Sequence, residues 1–483
     1  MTHKLYVFGI GGTGSRVLKA MTMLLASGVK LGVNISSVVP IIIDPDAANG
    51  DLNRTVDIIK LYQGIRNQIA APDDFFGTRL ETVDQTQNNS AFAANQLQLN
   101  ITNVNTQKFG QFIGEGAFSA ANDAMKELLF SKQNLDADMS VGFKGHPNIG
   151  SVVLKSIVDN PQFAQFAQSF HKGDKIFIIN SIFGGTGAAG FPLLLKILRS
   201  GNPNITNSQD IKNAHIGAIT VLPYFNVTTD PKSEISSDTF LEKAKSAMGY
   251  YQRSIIASNE LNELYYIGDK LDATYTNQEG AIGQKNDAHF VELASALAIF
   301  DFVTQPENNL LTQFKEFGID DDSKQDFSML DAHTRNLVMK PLCKFTMSKL
   351  YLKLGLSRVR ESNTLYYVGD LTKTNQAFFD SPVYTNEFEK FQDYFEEWLK
   401  EMALNKIAFA PFNLSVNSKN ALYFVQNKRP RKRGVIKSDD SFDRLTFEIN
   451  DCFLKFNSHS AIHQLVKMLE VSTEKILNQR ELV

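Results

Sequence analysis

Cysteine is nearly absent. Cys343 and Cys452 are the only two in 483 residues, too few and too far apart for a thiolate metal site or a disulfide framework. A reducing compartment fits that scarcity. No charge of one sign dominates: 49 basic residues face 52 acidic ones, a net charge of -3. No whole-chain field therefore holds nucleic acid or an anionic membrane, and such a partner would need a local patch. Long hydrophobic runs are missing as well. The opening MTHKLYVFGIGG meets glycine too early for a signal peptide, and nothing later approaches the length of a membrane span, so the expected location is cytoplasmic. The composition that remains, 43% apolar and 21% charged, excludes a wholly disordered or collagen-like chain. At this length two or three domains are expected.

The first half reads as strands alternating with helices. Leu5–Phe8 is a short buried strand, Ser15–Leu25 a helix, and Ser37–Ile43 a second strand that stops at Asp44. Residues from about 55 to 138, rich in Gln, Asn and Ala, read as a helical or loop insertion. Strand signals resume with KIFIIN (Lys175–Asn180), AHIGAITVLP (Ala214–Pro223) and ELYYIG (Glu263–Gly268). Such alternation predicts an α/β fold, a doubly wound, Rossmann-like parallel sheet covered on both faces. A long apolar helix follows at His289–Val303, then an acidic loop, GIDDDSKQDFSMLD. The predicted domains are 1–288, a connecting helix and loop at 289–335, and an α+β C-terminal domain at 336–483 with helices such as EFEKFQDYFEEWLKEMAL and strands such as NALYFVQN.

Gly11, Gly12, Thr13, Gly14, Ser15 and Arg16 lie between the first strand and the first helix. There glycines let the backbone approach a phosphate, and the helix N-terminus supplies N–H donors. A second glycine turn, Gly184, Gly185, Thr186, Gly187 and Ala188, follows KIFIINS and opens another apolar helix. One dinucleotide fold needs only the first turn, whereas a triphosphate gripped from two sides uses both. A side chain at Gly185 or Gly187 would then fill the phosphate's space; the alternative is that the glycines serve strand–helix packing alone. A third turn, Gly142 to Gly150, contains Gly145, Pro147 and Asn148.

These loops, in this order, resemble the tubulin/FtsZ superfamily over roughly residues 1–305, and within it the divergent bacterial tubulin-like proteins. Gly9–Gly14 is similar to the family's first loop, Asp44-Pro45-Asp46 to its acidic second loop, and Gly145–Gly150 to the third. Gly184–Ala189 resembles the GGTGSG signature, with Phe183 in place of its first glycine and Ala188-Ala189 in place of Ser-Gly. Val221–Phe225, containing Pro223, resembles the fifth loop near the ribose. The resemblance implies a GTP/GDP-binding domain and a magnesium held through water by Asp44 and Asp46. It places Asn286, His289 and Glu292 where the family reads the guanine edge. It also implies self-association head to tail into filaments. Gln325-Asp326-Phe327-Ser328 is similar to the loop that brings a hydrolytic acid to the next subunit, which makes Asp326 the candidate catalytic residue. A helix of roughly fifteen residues spans about 22 Å, which would carry Asp326 away from its own subunit's phosphates.

A rival resemblance is to the ThiF and ubiquitin-activating enzymes, which adenylate with ATP. It rests on the first glycine loop, Asp44-Pro45-Asp46 and Leu52-Asn53-Arg54, but leaves the turns at Gly145 and Gly184 without a role. A third reading is a non-hydrolysing, nucleotide-gated scaffold for protein partners. Outside these motifs, Lys428–Arg433 is the strongest basic run, the one patch that could grip nucleic acid or an acidic partner, although a solvated loop is the ordinary meaning. Phe388, Phe391, Tyr394, Phe395 and Trp398 fall at helical spacing, the pattern of a buried helix face.

Overall fold

The computed structural model describes residues 3–483 except 33, 70–73, 84–96, 100, 102, 105, 141, 144–145, 228–236, 270–273, 276–284, 308–310, 317–323, 362–365, 370–371, 406–407, 432–440 and 459. Seven strands form one parallel sheet: β1 (His3–Ile10), β2 (Ile35–Ile43), β3 (Arg79–Leu80), β4 (Lys175–Ser181), β5 (His215–Val221), β6 (Glu263–Ile267) and β7 (Gln313–Glu316). Their order is β3-β2-β1-β4-β5-β6-β7. The chain moves outward from β1 to β3, then returns to the other side of β1 and continues the opposite way. The topology therefore reverses between β1 and β4, and in open parallel sheets the ligand crevice lies beyond the strand C-termini at that reversal.

Strand periodicity supplies two cores. Leu5 and Val7 of β1, with Phe177 and Ile179 of β4, face one side. Tyr6, Phe8 and Ile10, with Ile176 and Ile178, face the other. The first side carries α1 (Gly11–Ala26), α2 (Gly50–Asn67) and α5 (Phe290–Thr304). The second carries α3 (Pro147–Val153) and α4 (Gly185–Arg199). The chain is an α/β protein with a doubly wound sheet, as the alternation of apolar strands and helices predicts.

Two expectations need correction. The segment read as an insertion from about 55 begins inside α2, which packs on the sheet core through Ile58, Ile59, Tyr62 and Ile65, and it also contributes the edge strand β3. Its low strand signal reflects a helix that shows the core a few apolar positions among many polar ones. The predicted strand NALYFVQN is a short 3-10 helix, Ala421–Phe424, with a single antiparallel bridge from Phe412 to Val425; burial without a neighbouring strand favours a tight turn. The apolar helix expected at 289–303 is α5 (15 residues), and α6 (Ala332–Glu361, 30 residues) follows it.

Beyond β7 the described elements are helical, including α7 (Lys390–Ala403) and α8 (Ala461–Gln479). One apolar cluster runs from Leu5 to Leu482, so this region closes over α1, α2 and α5. Phe388, Phe391, Phe395 and Trp398 are buried within it. The aromatic stripe is thus core, with Tyr394 half-buried at its edge and its hydroxyl donating to Asp57 at 2.8 Å. No helix among the described residues is long and apolar enough to cross a membrane.

Candidate functional site

The loops after β1 and β4 meet at the reversal. Gly11 opens α1 with φ 71, a left-handed conformation that favours glycine. A Cβ on Gly11 would lie 3.4 Å from Thr186 Cβ, so the first and fourth loops touch. The N-cap positions of α1 and α4 are Ile10 and Gly184, neither with a capping side-chain hydrogen bond. In contrast, Asn49 caps α2 by accepting from the Asp51 and Leu52 amides at 2.9 and 3.1 Å. Two helices therefore bring uncapped N-terminal N–H groups and positive dipole ends to one crevice, an arrangement suited to an anion. Half-buried Gly12 is uncrowded: among the described residues an added Cβ would meet only Asn49 Nδ2, at 3.9 Å.

Not every glycine of the motifs points there. A Cβ on Gly14 would sit 2.4 Å from the carbonyl carbon of Gly9, and one on Gly187 would lie 2.7 and 2.8 Å from the O and N of Ser181. These glycines let helix and strand backbones touch. The expectation that a side chain at Gly187 fills a phosphate's space is corrected accordingly, since it would meet the backbone of β4 instead. Ser15 is fully buried and its hydroxyl turns back to the Gly11 carbonyl at 3.4 Å; Thr13 is half-buried and Thr186 buried. Gly184 is half-buried, while Gly185 and Ala188 are buried.

The second loop follows β2. Asp44 Oδ1 accepts the Asp46 amide and Asp46 Oδ1 accepts the Ala48 amide, both at 3.1 Å. Both carboxylates are buried. Burial, with a smaller push from the Asp46 charge and against the hydrogen bond from the Asp46 amide, raises Asp44 to about 7. A divalent cation would supply counter-charge to this pair, so the two acids fit a water-linked magnesium in charge and donor type. Among the described residues no group of three or more His, Cys, Asp or Glu could hold a metal directly. In the third loop, Pro147 is half-buried at the start of α3 and Asn148 is exposed. A Cβ on Gly150 would meet Gly185 O at 3.2 Å, which puts α3 beside the fourth loop. Gly145 lies outside the described residues.

Arg16, Asn286 and Glu292 serve a different purpose from the one expected. Arg16 pairs with Glu292 at 2.6 Å and with Asp51 at 3.6 Å, and its guanidinium also donates to the Tyr224 hydroxyl. That hydroxyl in turn donates to Glu292 at 3.1 Å. Glu292 is 0% exposed, so it is closed to a base. Asn286 donates its amide to Asp51 Oδ2 at 3.2 Å, and its carbonyl accepts from Arg54 at 2.6 Å. His289 caps its own helix, its Nδ1 accepting the Val291 amide; burial and then Arg16 lower its pKa to about 4, leaving it neutral. The positions expected to read a base instead hold α5 against α1 and α2.

Sequence reasoning missed the wider network. Lys19, Asp51, Arg54 and Glu401 are all buried. Arg54 meets Glu401 at 2.6 Å, and Lys19 lies 3.6 Å from the other oxygen of Glu401. That oxygen also accepts the Ala288 amide at 2.7 Å. Charge is matched, Arg16, Lys19 and Arg54 against Asp51, Glu292 and Glu401, and α7 is tied to α1. The signal available was Arg16 and Lys19 standing one turn apart in an otherwise apolar helix.

The fifth loop closes the aromatic side. Pro223 and Tyr224 are buried. Phe183 packs edge-on against Tyr224 and Phe225, with centroids at 6.1 and 5.5 Å. The phenylalanine that replaces the first glycine of the signature thus has a packing role.

Asp326 is the other correction. It accepts the Ser328 amide at 2.7 Å and a hydrogen bond from the Asn427 side chain. The next residue, Phe327, packs on Phe409 at 5.8 Å, and Phe409 packs on Phe290, the first residue of α5, at 5.7 Å. The chain descends along α5, turns into β7 and returns, so Asp326 lies on the end of the molecule where α5 begins. The distance argument for delivering this acid to a neighbouring subunit does not hold. Asp320, Asp321 and Asp322 lie outside the described residues, as do Lys432 and Arg433 of the basic run. Lys428, Arg429 and Arg431 are exposed, and Arg431 pairs with Glu481.

No protein-family model and no curated protein matches the chain. Solved structures do. CetZ2 from Haloferax volcanii, a GTPγS-bound protofilament, is 11% identical with a TM-score of 0.30, covering 63% of this chain and 59% of that one. CetZ1 from the same organism, a GDP-bound monomer, is 13% identical with a TM-score of 0.28, covering 55% and 51%. An empty FtsZ dimer from M. jannaschii is 15% identical with a TM-score of 0.25, covering 56% and 46%. The chain spans about half the length of these structures. At such scores the fold is defined here by its own strand order and crevice.

Proposed function

We propose that this protein binds a nucleoside polyphosphate in the crevice beyond β1 and β4 and that the nucleotide is GTP or GDP. The supporting observation is the pair of uncapped helix N-termini, α1 and α4, brought together where the sheet topology reverses. The amides around Gly11–Thr13 and Gly184–Thr186 hold the phosphates. Open space over Gly12 admits them, and Asp44 and Asp46 hold a magnesium through water, which neutralises phosphate charge when bound. Arg16 orients α1 and Tyr224 and does not itself grip phosphate. Guanine follows from the five-loop resemblance to the tubulin/FtsZ superfamily, as does self-association head to tail.

The location of Asp326 favours a variant of this reading in which the protein is a nucleotide-gated scaffold. Its charged network joins the phosphate-loop helix to α7, whereas no acid is delivered across a subunit boundary by the route the resemblance implies. An adenylating enzyme of the ThiF kind is less well supported, because Arg54 of the Leu52-Asn53-Arg54 run is buried against Glu401. The nucleotide released on denaturing purified protein tests the assignment: GTP or GDP is expected, ATP or AMP supports adenylation, and NAD overturns both.

A further inference from the structure

The helix Ala120–Leu129 packs with its polar side inward. None of its ten residues is buried, and the side turned to the protein is the charged one: Asp123 and Lys126 are half-buried, with Lys126 meeting Glu115 and Asp123, each at 3.1 Å. On the opposite side Met125, Leu128 and Leu129 are 60%, 87% and 61% exposed. Positions 125, 128 and 129 are one turn apart and share a face. This amphipathic helix therefore shows solvent the apolar stripe that a surface helix normally buries, the mark of an interaction surface.

A groove of about 320 Å³ lies between the helix Phe442–Lys455 and α8, with Cys452, Phe456 and Val471 in its lining. Val471 is 41% exposed, and Leu454, two residues beyond Cys452, is 73% exposed. Charge beside the groove is uneven. Arg444 and Lys475 pair with Glu448, while Lys475 and Lys455 lie 3.6 and 2.7 Å from Asp451. Three bases thus share two acids, and Lys455 is the most exposed of the three. Glu127, next to Leu128 on the first helix, is exposed and has no ion pair among the described residues.

The stripe and the groove lie on opposite sides of the sheet. Phe130, at the end of the first helix, packs against the core that contains Tyr6 and Phe8, whereas Leu445, Ile449 and Cys452 belong to the core that contains Leu5 and Val7. One copy cannot fill its own groove. We propose that the helix Ala120–Leu129 of one copy docks in this groove on a second copy, with Leu128 and Leu129 against Cys452, Phe456 and Val471, and Glu127 against Lys455. The lengths agree, since ten residues span about 15 Å and the fourteen of Phe442–Lys455 about 21 Å. Such a contact is heterologous and joins opposite faces, so it propagates into an open row of copies. It uses no phosphate-loop residue and does not rest on the nucleotide reading. A membrane is the poorer occupant, because interfacial helices carry Lys and Arg around the apolar face, and here Lys126 is turned inward to two acids.

Sedimentation velocity of the full chain over a concentration series, without nucleotide, tests the contact. The mean mass should rise with concentration, and Leu128→Lys or Val471→Glu should each weaken association at least tenfold without altering the circular dichroism, both positions being exposed. Glu127→Lys and Lys455→Glu should each weaken it severalfold, and the two together should restore it. Oxidative cross-linking then defines the pairing in a Cys452→Ser background, where the remaining Cys343 is buried. A mixture of Leu128→Cys and Val471→Cys chains should give a covalent dimer that neither gives alone. A monomer at every concentration, a covalent dimer from Leu128→Cys alone, a double charge swap that restores nothing, or flotation with phosphatidylcholine vesicles that Leu128→Lys abolishes would overturn the proposal.

Discussion

Replacing Gly12 by valine should remove nucleotide binding while leaving stability almost untouched. Among the described residues a Cβ at this position meets only the Asn49 side-chain nitrogen at 3.9 Å, an ordinary contact, so the first added carbon displaces nothing. The glycine-to-side-chain change in a helix is worth up to about 1 kcal/mol in favour of the variant, offset by the roughly 0.7 kcal/mol that a β-branched residue costs relative to alanine. The net change should lie within about 0.5 kcal/mol. Gly187→Ala makes the opposite case. Its single added carbon would sit 2.7 Å from a backbone oxygen and 2.8 Å from a backbone nitrogen of Ser181, and relief of such overpacking costs about 1–3 kcal/mol or more. Urea unfolding of both variants without nucleotide measures the first quantity, and calorimetric titration with GTP and GDP the second. Gly12→Val should lose at least tenfold in affinity, about 1.4 kcal/mol, because its side chain enters the space over the α1 N-terminus. Normal GTP affinity in Gly12→Val would refute this placement of the phosphates, and a loss of stability equal to that of Gly187→Ala would refute the steric reasoning.

The buried network gives an asymmetric prediction. Glu401→Gln leaves buried Lys19 without its ion pair and Arg54 with only its longer contacts to Asp51 and Glu397, and should cost about 3 kcal/mol, whereas Lys19→Met leaves the Arg54–Glu401 pair intact and should cost less than about 1 kcal/mol, as chemical denaturation would show. For His289, lowered to about 4 from 6.5, the unfolded chain binds the proton more readily. Its stabilising contribution is full above about pH 6.5 and is lost as pH falls toward 4, by roughly 3 kcal/mol relative to His289→Gln in denaturation at several pH values. Asp44 has the opposite slope, since a carboxyl raised to about 7 favours the folded state when protonated. Asp44→Asn should therefore stabilise the nucleotide-free protein at pH 8 and not at pH 4, again by denaturation. Asp326→Ala removes a turn cap and should cost about 1 kcal/mol while leaving any GTP turnover unchanged and independent of protein concentration; suppressed turnover in a phosphate-release assay would restore this acid to a catalytic role.

Local chemistry was legible in the amino-acid sequence because it depends on near neighbours. The runs KLYVFGI, SSVVPIII and KIFIIN are strands because apolar side chains alternate between two buried faces, and the glycine turns that follow them mark where helices start. The parallel sheet and the crevice loops follow from that order alone. The tertiary structure decided which glycines face open space and which touch a strand, a distinction set by the angle at which each helix leaves the sheet: Gly12 and Gly14 are two residues apart with opposite roles. It also decided the partners of Arg16 and Glu292, because Tyr224 and Glu292 lie far along the chain from Arg16 and reach it only when α5 packs on α1, just as Glu401 reaches Lys19 and Arg54 only when α7 packs on α2. Likewise, the return of the chain after α5 through the edge strand β7 is fixed by long-range pairing with β6, and it moved Asp326 to the end of the molecule opposite to the one its position in the sequence implied.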